Sequence, residues 1–184
     1  KIANINEIDK HKRSISLLFS RRKFDHKNNL TMDYQQLLEN IYQSIMPYAG
    51  EGKQADYIPK FAKVNPDQFG MYIHSIYRET ASVGDADTRF SIQSISKVFA
   101  LALCLSIKGD ELWKRVGREP SGTTFNSLIQ LEVEHGIPRN PFINAGAIVM
   151  ADILLSHFEQ PERDFLSFVR AIAEDETIDY NRDV

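Results

Sequence analysis

An α+β fold, with helices packed on an antiparallel sheet, is predicted by three stretches of this chain. Phe69 to Val83 reads as two strands joined at Arg78-Glu79, with Met71, Ile73 and Ile76 as the apolar positions of the first. Ile95 to Ile107 is apolar on most sides, the pattern of a helix central to its fold. Asn144-Ala145-Gly146-Ala147 opens a further helix with small residues that allow close packing.

The elements follow in order. Thr31-Met32-Asp33-Tyr34 offers an N-cap for a helix whose apolar stripe is Leu37, Leu38, Ile41, Tyr42 and Ile45, ending at Pro47. Gly50-Glu51-Gly52 is a loop, and Ala55-Asp56-Tyr57-Ile58-Pro59 leads into a short amphipathic piece. Asn65-Pro66-Asp67 turns the chain into the first strand, Phe69 to Tyr77. The return strand is Thr80 to Val83, broken by Gly84-Asp85 and Asp87. The apolar helix that follows should stop at Gly109. Gly117 to Gly122 is a turn-rich loop, Ser127 to Glu132 a short element, and Gly136 to Pro141 an extended, rigid loop. Asn144 is placed to cap a helix to about Leu155, and Pro161 to open a last one to about Ala173.

Composition bounds the function. The 184 residues are 42% hydrophobic and 26% charged, which fits an ordinary soluble globular protein with a real core. Residues 1–30 carry eight Lys and Arg against three acids, so they hold +5 and the rest of the chain −8 of the net −3. The basic stretch reads as an extension. The acidic body argues against nucleic acid as the main partner. No apolar run reaches the length of a membrane span, and the first residues lack the apolar core of a secretory signal. Cys104 is the single cysteine, which excludes an intrachain disulfide and a cysteine metal cluster. A reducing, cytoplasmic setting is expected, with Cys104 a packed core thiol. The five histidines have no metal-ligand spacing, and there is no Gly-rich phosphate loop; no metal or cofactor is implied.

Ser94-Ile95-Ser96-Lys97 is the segment that carries chemistry. Residues three apart share a helix face, so hydroxyl and amine meet ahead of the apolar helix. Serine needs a base to take its proton, and a lysine serves as one when its pKa is well below about 10.4. The pattern alone arises by chance about once in a chain this long. It recurs at Ser20-Arg21-Arg22-Lys23, a basic stretch without an apolar helix behind it. On the residues alone Ser94 reads as a helix cap before it reads as a nucleophile, Lys97 as a solvent-facing residue, Asn144 as a cap, and Tyr57 as a half-buried packing residue.

Four blocks together resemble the serine-dependent glutaminases. They are Ala55-Asp56-Tyr57-Ile58-Pro59, then Phe90 to Lys97, then Gly117 to Gly122 with Phe125-Asn126-Ser127, then Asn140 to Ile148, in family order over residues 31–184. Residues 1–30 lie outside the resemblance. It implies the fold of the serine β-lactamases and penicillin-binding transpeptidases, which share the Ser-x-x-Lys device. It also implies hydrolysis of L-glutamine to L-glutamate and ammonia, and a homo-oligomer, dimer or tetramer. Carried over by position, Ser94 is the nucleophile and Lys97 its proton partner, while Tyr57, Gln93 and Asn144 line the substrate site with Ser94. These residue types suit a zwitterion that also bears an amide.

The family continues well beyond this length, with a glutamate, a second asparagine, two tyrosines and a Lys-Ser-Gly strand. The resemblance therefore covers an N-terminal, truncated portion of the domain, either a piece of a longer chain or a short form. Two other functions compete: a non-catalytic form that binds full-length subunits, and a β-lactam-binding relative.

Overall fold

The computed structural model describes residues 32–54, 57–122 and 134–182. The basic extension, the second Ser-x-x-Lys match, the short element expected at Ser127 to Glu132, and parts of two family blocks (Ala55-Asp56 and Phe125-Asn126-Ser127) lie outside them. The described residues fall into two compact units, one within Phe24–Ser91 and one within Ile92–Tyr180.

The first unit is a helix on a hairpin. Helix α1, Tyr34–Ile45, starts where Asp33 accepts a hydrogen bond from the Gln36 N–H at 3.0 Å. Strands β1, Gly70–His74, and β2, Thr80–Gly84, pair antiparallel, with Met71 opposite Val83 and Ile73 opposite Ala81. Ala81 is buried, and so is Leu38 at the centre of the α1 stripe; Leu37 and Ile45 stay exposed. The Gln35 amide bonds both backbone groups of Ser82, donating to its carbonyl at 3.1 Å and accepting from its N–H at 3.4 Å. That closes one stretch of β2 edge that would otherwise be open to another strand.

Two expectations need correction here. The first strand ends at His74, not Tyr77, and Ile76 is 83% exposed rather than in the sheet. The Ser75 hydroxyl accepts from the N–H groups of Tyr77 and Glu79, folding residues 75–79 into a turn in which Arg78 takes a φ of 66°. A local hydroxyl acceptor has outcompeted the ladder. The second strand runs one residue further, to Gly84. A side chain there would meet the Phe69 carbonyl at 2.2 Å, and φ is +66°, so glycine is required on both counts.

The second unit is helical. Helices α2, Ser96–Lys108, α3, Asn144–His157, and α4, Pro161–Ala173, pack with the 3₁₀ turn Gly109–Lys114 around one core. Leu103, Cys104, Leu112, Val116, Met150, Ile153, Leu154 and Phe168 form it. Helix α2 stops at Gly109 as expected, whose N–H bonds the Leu105 carbonyl. Arg115 and Asp152 form an ion pair at 2.7 Å between the 3₁₀ turn and α3. After α4 the chain folds back, with the Tyr180 hydroxyl donating to the Glu162 carbonyl at 2.8 Å and Arg170 to that of Ile178 at 2.7 Å. Among the described residues, no helix is long and apolar enough to cross a membrane.

Candidate active site

Ser94 lies in a 3₁₀ turn, Gln93–Ile95, directly ahead of α2. The turn is entered through Gln93 at φ 44°, a backbone region that L side chains occupy at a cost of about 1–2 kcal/mol. Strained residues of this kind cluster where a side chain must be aimed. The Ser94 side chain is exposed, and Lys97, one turn on, is half-buried.

Lys97 is fixed from across the core. Its Nζ donates to the Asn144 Oδ1 at 2.8 Å and to the Phe142 carbonyl at 3.1 Å. An uncharged amine has two N–H donors and one lone pair; a protonated one has three N–H groups. Two oxygens on one side therefore leave one valence of Lys97 for a further partner. That partner position is where a serine hydroxyl would give or take a proton. Among the described residues no hydrogen bond joins Ser94 Oγ to Lys97 Nζ.

Asn144 does not cap its helix, as the sequence reading expects. It is the first residue of α3, and its amide oxygen is turned to Lys97 instead. No side chain caps the helix, and Asn140 instead closes the loop ahead of it, its Oδ1 accepting from the N–H groups of Phe142 and Ile143. Two features escape that reading: the Phe142 carbonyl, which as a backbone acceptor leaves no mark in residue type, and Asn140, hidden in what reads as a rigid Asn-Pro loop.

The loop before α3 and the helix itself are in backbone contact. A Cβ at Gly146 would come within 1.9 Å of the Asn140 carbonyl oxygen, so only glycine admits this approach. The glycine lets the loop that carries Asn140 lie against the first turn of α3.

Of the remaining expected site residues, Gln93 is exposed and heads the nucleophile turn. Tyr57 belongs to the first unit, where its ring is 77% exposed and stands edge-on to Phe61 at 6.2 Å. Among the described residues no group of three His, Cys, Asp or Glu is placed to hold a metal ion.

A family model described as Glutaminase matches residues 52–184. Curated relatives include the glutaminase of Ralstonia nicotianae, 53% identical over 150 residues, which are 82% of this chain and 49% of the relative. The glutaminase of Agrobacterium fabrum is 56% identical over 148 residues, 79% of this chain and 48% of its own. Among solved structures, the probable glutaminase ybaS superposes with a TM-score of 0.75 at 34% identity, covering 82% of this chain and 48% of that one. The probable glutaminase of Bacillus subtilis gives 0.61 at 32% identity, covering 77% and 42%. The architecture is thus part of the α+β, β-lactamase-like fold of these proteins, as expected from the sequence. The chain spans about half the length of the curated relatives it matches.

Proposed function

The chain belongs to the glutaminase family, and from that premise we propose that it supplies the nucleophile side of a site hydrolysing L-glutamine to L-glutamate and ammonia. The observation that carries this reading is the two-oxygen hold on Lys97, one helical turn from Ser94. In the proposed reaction the Ser94 Oγ attacks the side-chain amide carbon of glutamine while Lys97 takes the hydroxyl proton. The tetrahedral intermediate collapses as its C–N bond breaks. Nitrogen takes a proton from Lys97 and leaves as ammonia. Water then adds to the γ-glutamyl ester, the Ser94 oxygen recovers a proton, and glutamate departs.

Asn144 has two tasks in this scheme. Its Oδ1 holds Lys97, and its NH₂ group keeps two donors for the substrate. Gln93 and Tyr57 offer further polar groups for the carboxylate and ammonium. Homo-oligomerisation and a cytoplasmic location belong to the same proposal; the second draws on the reduced, buried thiol of Cys104.

The test is glutamine-dependent ammonia release by a full-length protein that carries this sequence and by its Ser94→Ala variant. The variant should lose at least roughly 10⁴-fold in kcat. Undiminished turnover by Ser94→Ala would remove Ser94 as nucleophile. A stable penicillin adduct on Ser94 with no ammonia release would favour the β-lactam-binding reading. Co-purification with a full-length glutaminase, again without turnover, would favour the subunit-binding one. That last reading draws on the exposed apolar side chains of α3, Ile148 and Leu155.

A further inference from the structure

Lys97 is held by two oxygens at the entry to α3, those of Phe142 and Asn144, and among the described residues one side chain, that of Asn140, bonds the amides between them. The Oδ1 of Asn140 accepts from the N–H of Phe142 at 3.0 Å and of Ile143 at 3.1 Å. Its Nδ2 donates to the Glu119 carbonyl at 2.9 Å. An amide side chain can make four hydrogen bonds, and three of these go to backbone on two separate segments. The oxygens that Lys97 meets come from the same short stretch: the carbonyl of Phe142 itself, and the side chain of Asn144, next after Ile143.

Both ends of this brace are anchored. Glu119 is tied by its own N–H to the Arg139 carbonyl at 2.9 Å, and Gly117 by its N–H to that of Pro138 at 2.7 Å. The peptide of Asn140 is pressed from the other side by the backbone of α3 at Gly146. Pro141 fixes φ at the second position of the turn near −65°. Among the described residues no other side chain bonds the amides of Phe142 and Ile143. Remove the Asn140 amide and the loop keeps its anchor but loses the bonds that set where residues 142–144 point.

We infer that Asn140 is the positioning residue for Lys97: it touches no reacting atom, and it sets both oxygens that orient the amine. The consequence for turnover rests on the glutaminase reading above, whereas the hold on Lys97 does not. A displacement of about 1 Å at a catalytic group costs on the order of 10²-fold in rate, so a brace of this kind matters to chemistry more than to stability.

The decisive measurement follows the Hε protons of Lys97 by NMR in protein carrying ¹³C-lysine, assigned through Lys97→Arg. In a lysine held in one rotamer the two Hε protons resonate apart; in a freely rotating one they coincide. The unaltered protein should show them apart and Asn140→Ala coincident, with the fold retained. Persistent separation in Asn140→Ala overturns the proposal. Asn140→Asp keeps the two acceptor bonds and should keep the separation. Its collapse in folded Asn140→Asp also overturns the proposal, which decides the matter if Asn140→Ala does not fold. With glutamine, Asn140→Ala should lower kcat about tenfold to a hundredfold with KM within about twofold, and Asn140→Asp should recover most of it. A raised KM at unchanged kcat would make Asn140 a substrate-binding residue and overturn positioning. No ammonia release from the unaltered full-length protein would defeat the glutaminase reading alone, leaving the Lys97 resonances to decide this one.

Discussion

Cys104 is fully buried, with its sulfur 3.5 Å from the Met150 carbonyl. Burial pushes its pKa up to about 12 from an ordinary 9.0, with Lys108 pulling weakly the other way. The folded chain thus keeps the thiol proton to higher pH than the unfolded chain does. Below pH 9 both states hold it and this group makes stability no more pH-dependent. Above pH 9 the unfolded state binds fewer protons, so stability falls as pH rises, by up to about 1.4 kcal/mol per pH unit. Urea unfolding on either side of pH 9 should show a shallower alkaline loss for Cys104→Ala than for the unaltered protein. Equal slopes would mean the thiol is not desolvated. At this scale the sequence is legible where side-chain chemistry speaks: Ser94, Lys97 and Asn144 announce themselves by type and spacing. It is silent where backbone acts. Nothing in the letter Q marks Gln93 for φ 44°, and nothing in the letter F marks the carbonyl of Phe142 as the acceptor that Lys97 uses.

Among the elements, α3 does two jobs that conflict at one residue. Gly146 lowers helix propensity by about 1 kcal/mol relative to alanine, yet it lets the helix lie on the Asn140 peptide. A methyl group there would meet backbone rather than a side chain that can swing away. Gly146→Ala should therefore destabilise by about 1–3 kcal/mol despite the better propensity. Chemical denaturation reads the stability, and a neutral or stabilising result would show that loop and helix can part at little cost. The apolar pattern located α2 and α3 and the alternation located the hairpin, because core burial sets those periods. Their ends were less legible. The first strand stopped early since the Ser75 hydroxyl competes for backbone donors, and Asn144 failed to cap since Lys97, 47 positions earlier, claims its oxygen. Both are matters of which partner arrives, which a local reading of sequence does not contain.

On the scale of the whole molecule, helix α3 is apolar on more than its core side. Ile148 and Leu155, seven residues and so two turns apart, are each 65% exposed. On the edge of α2, Ile95 and Val98 are exposed as well. Uncovered apolar faces of this kind favour association. The protein should elute larger than a monomer as its concentration rises, and Leu155→Glu should shift it back; light scattering on the eluting peak checks both. A monomer at all concentrations would mean that these faces are covered otherwise. The α+β class was legible in the hairpin and helix patterns, but the β-lactamase-like architecture only through four blocks read together, because no single motif excludes a chance match. The half-length span was legible as well, since the family's later motifs are missing from the sequence.

The grip on Lys97 joins positions 45 and 47 residues apart in the chain. No local fluctuation of α2 can make those bonds. They form only once α3 has docked on α2, with the loop-closure entropy already spent. The amine beside the nucleophile is therefore unorganised in the unfolded chain and in any partly folded state that lacks α3. Chemical competence in this fold arrives late, as a property of the finished core, and a nascent or unravelling chain carries a serine and a lysine that do not yet act together.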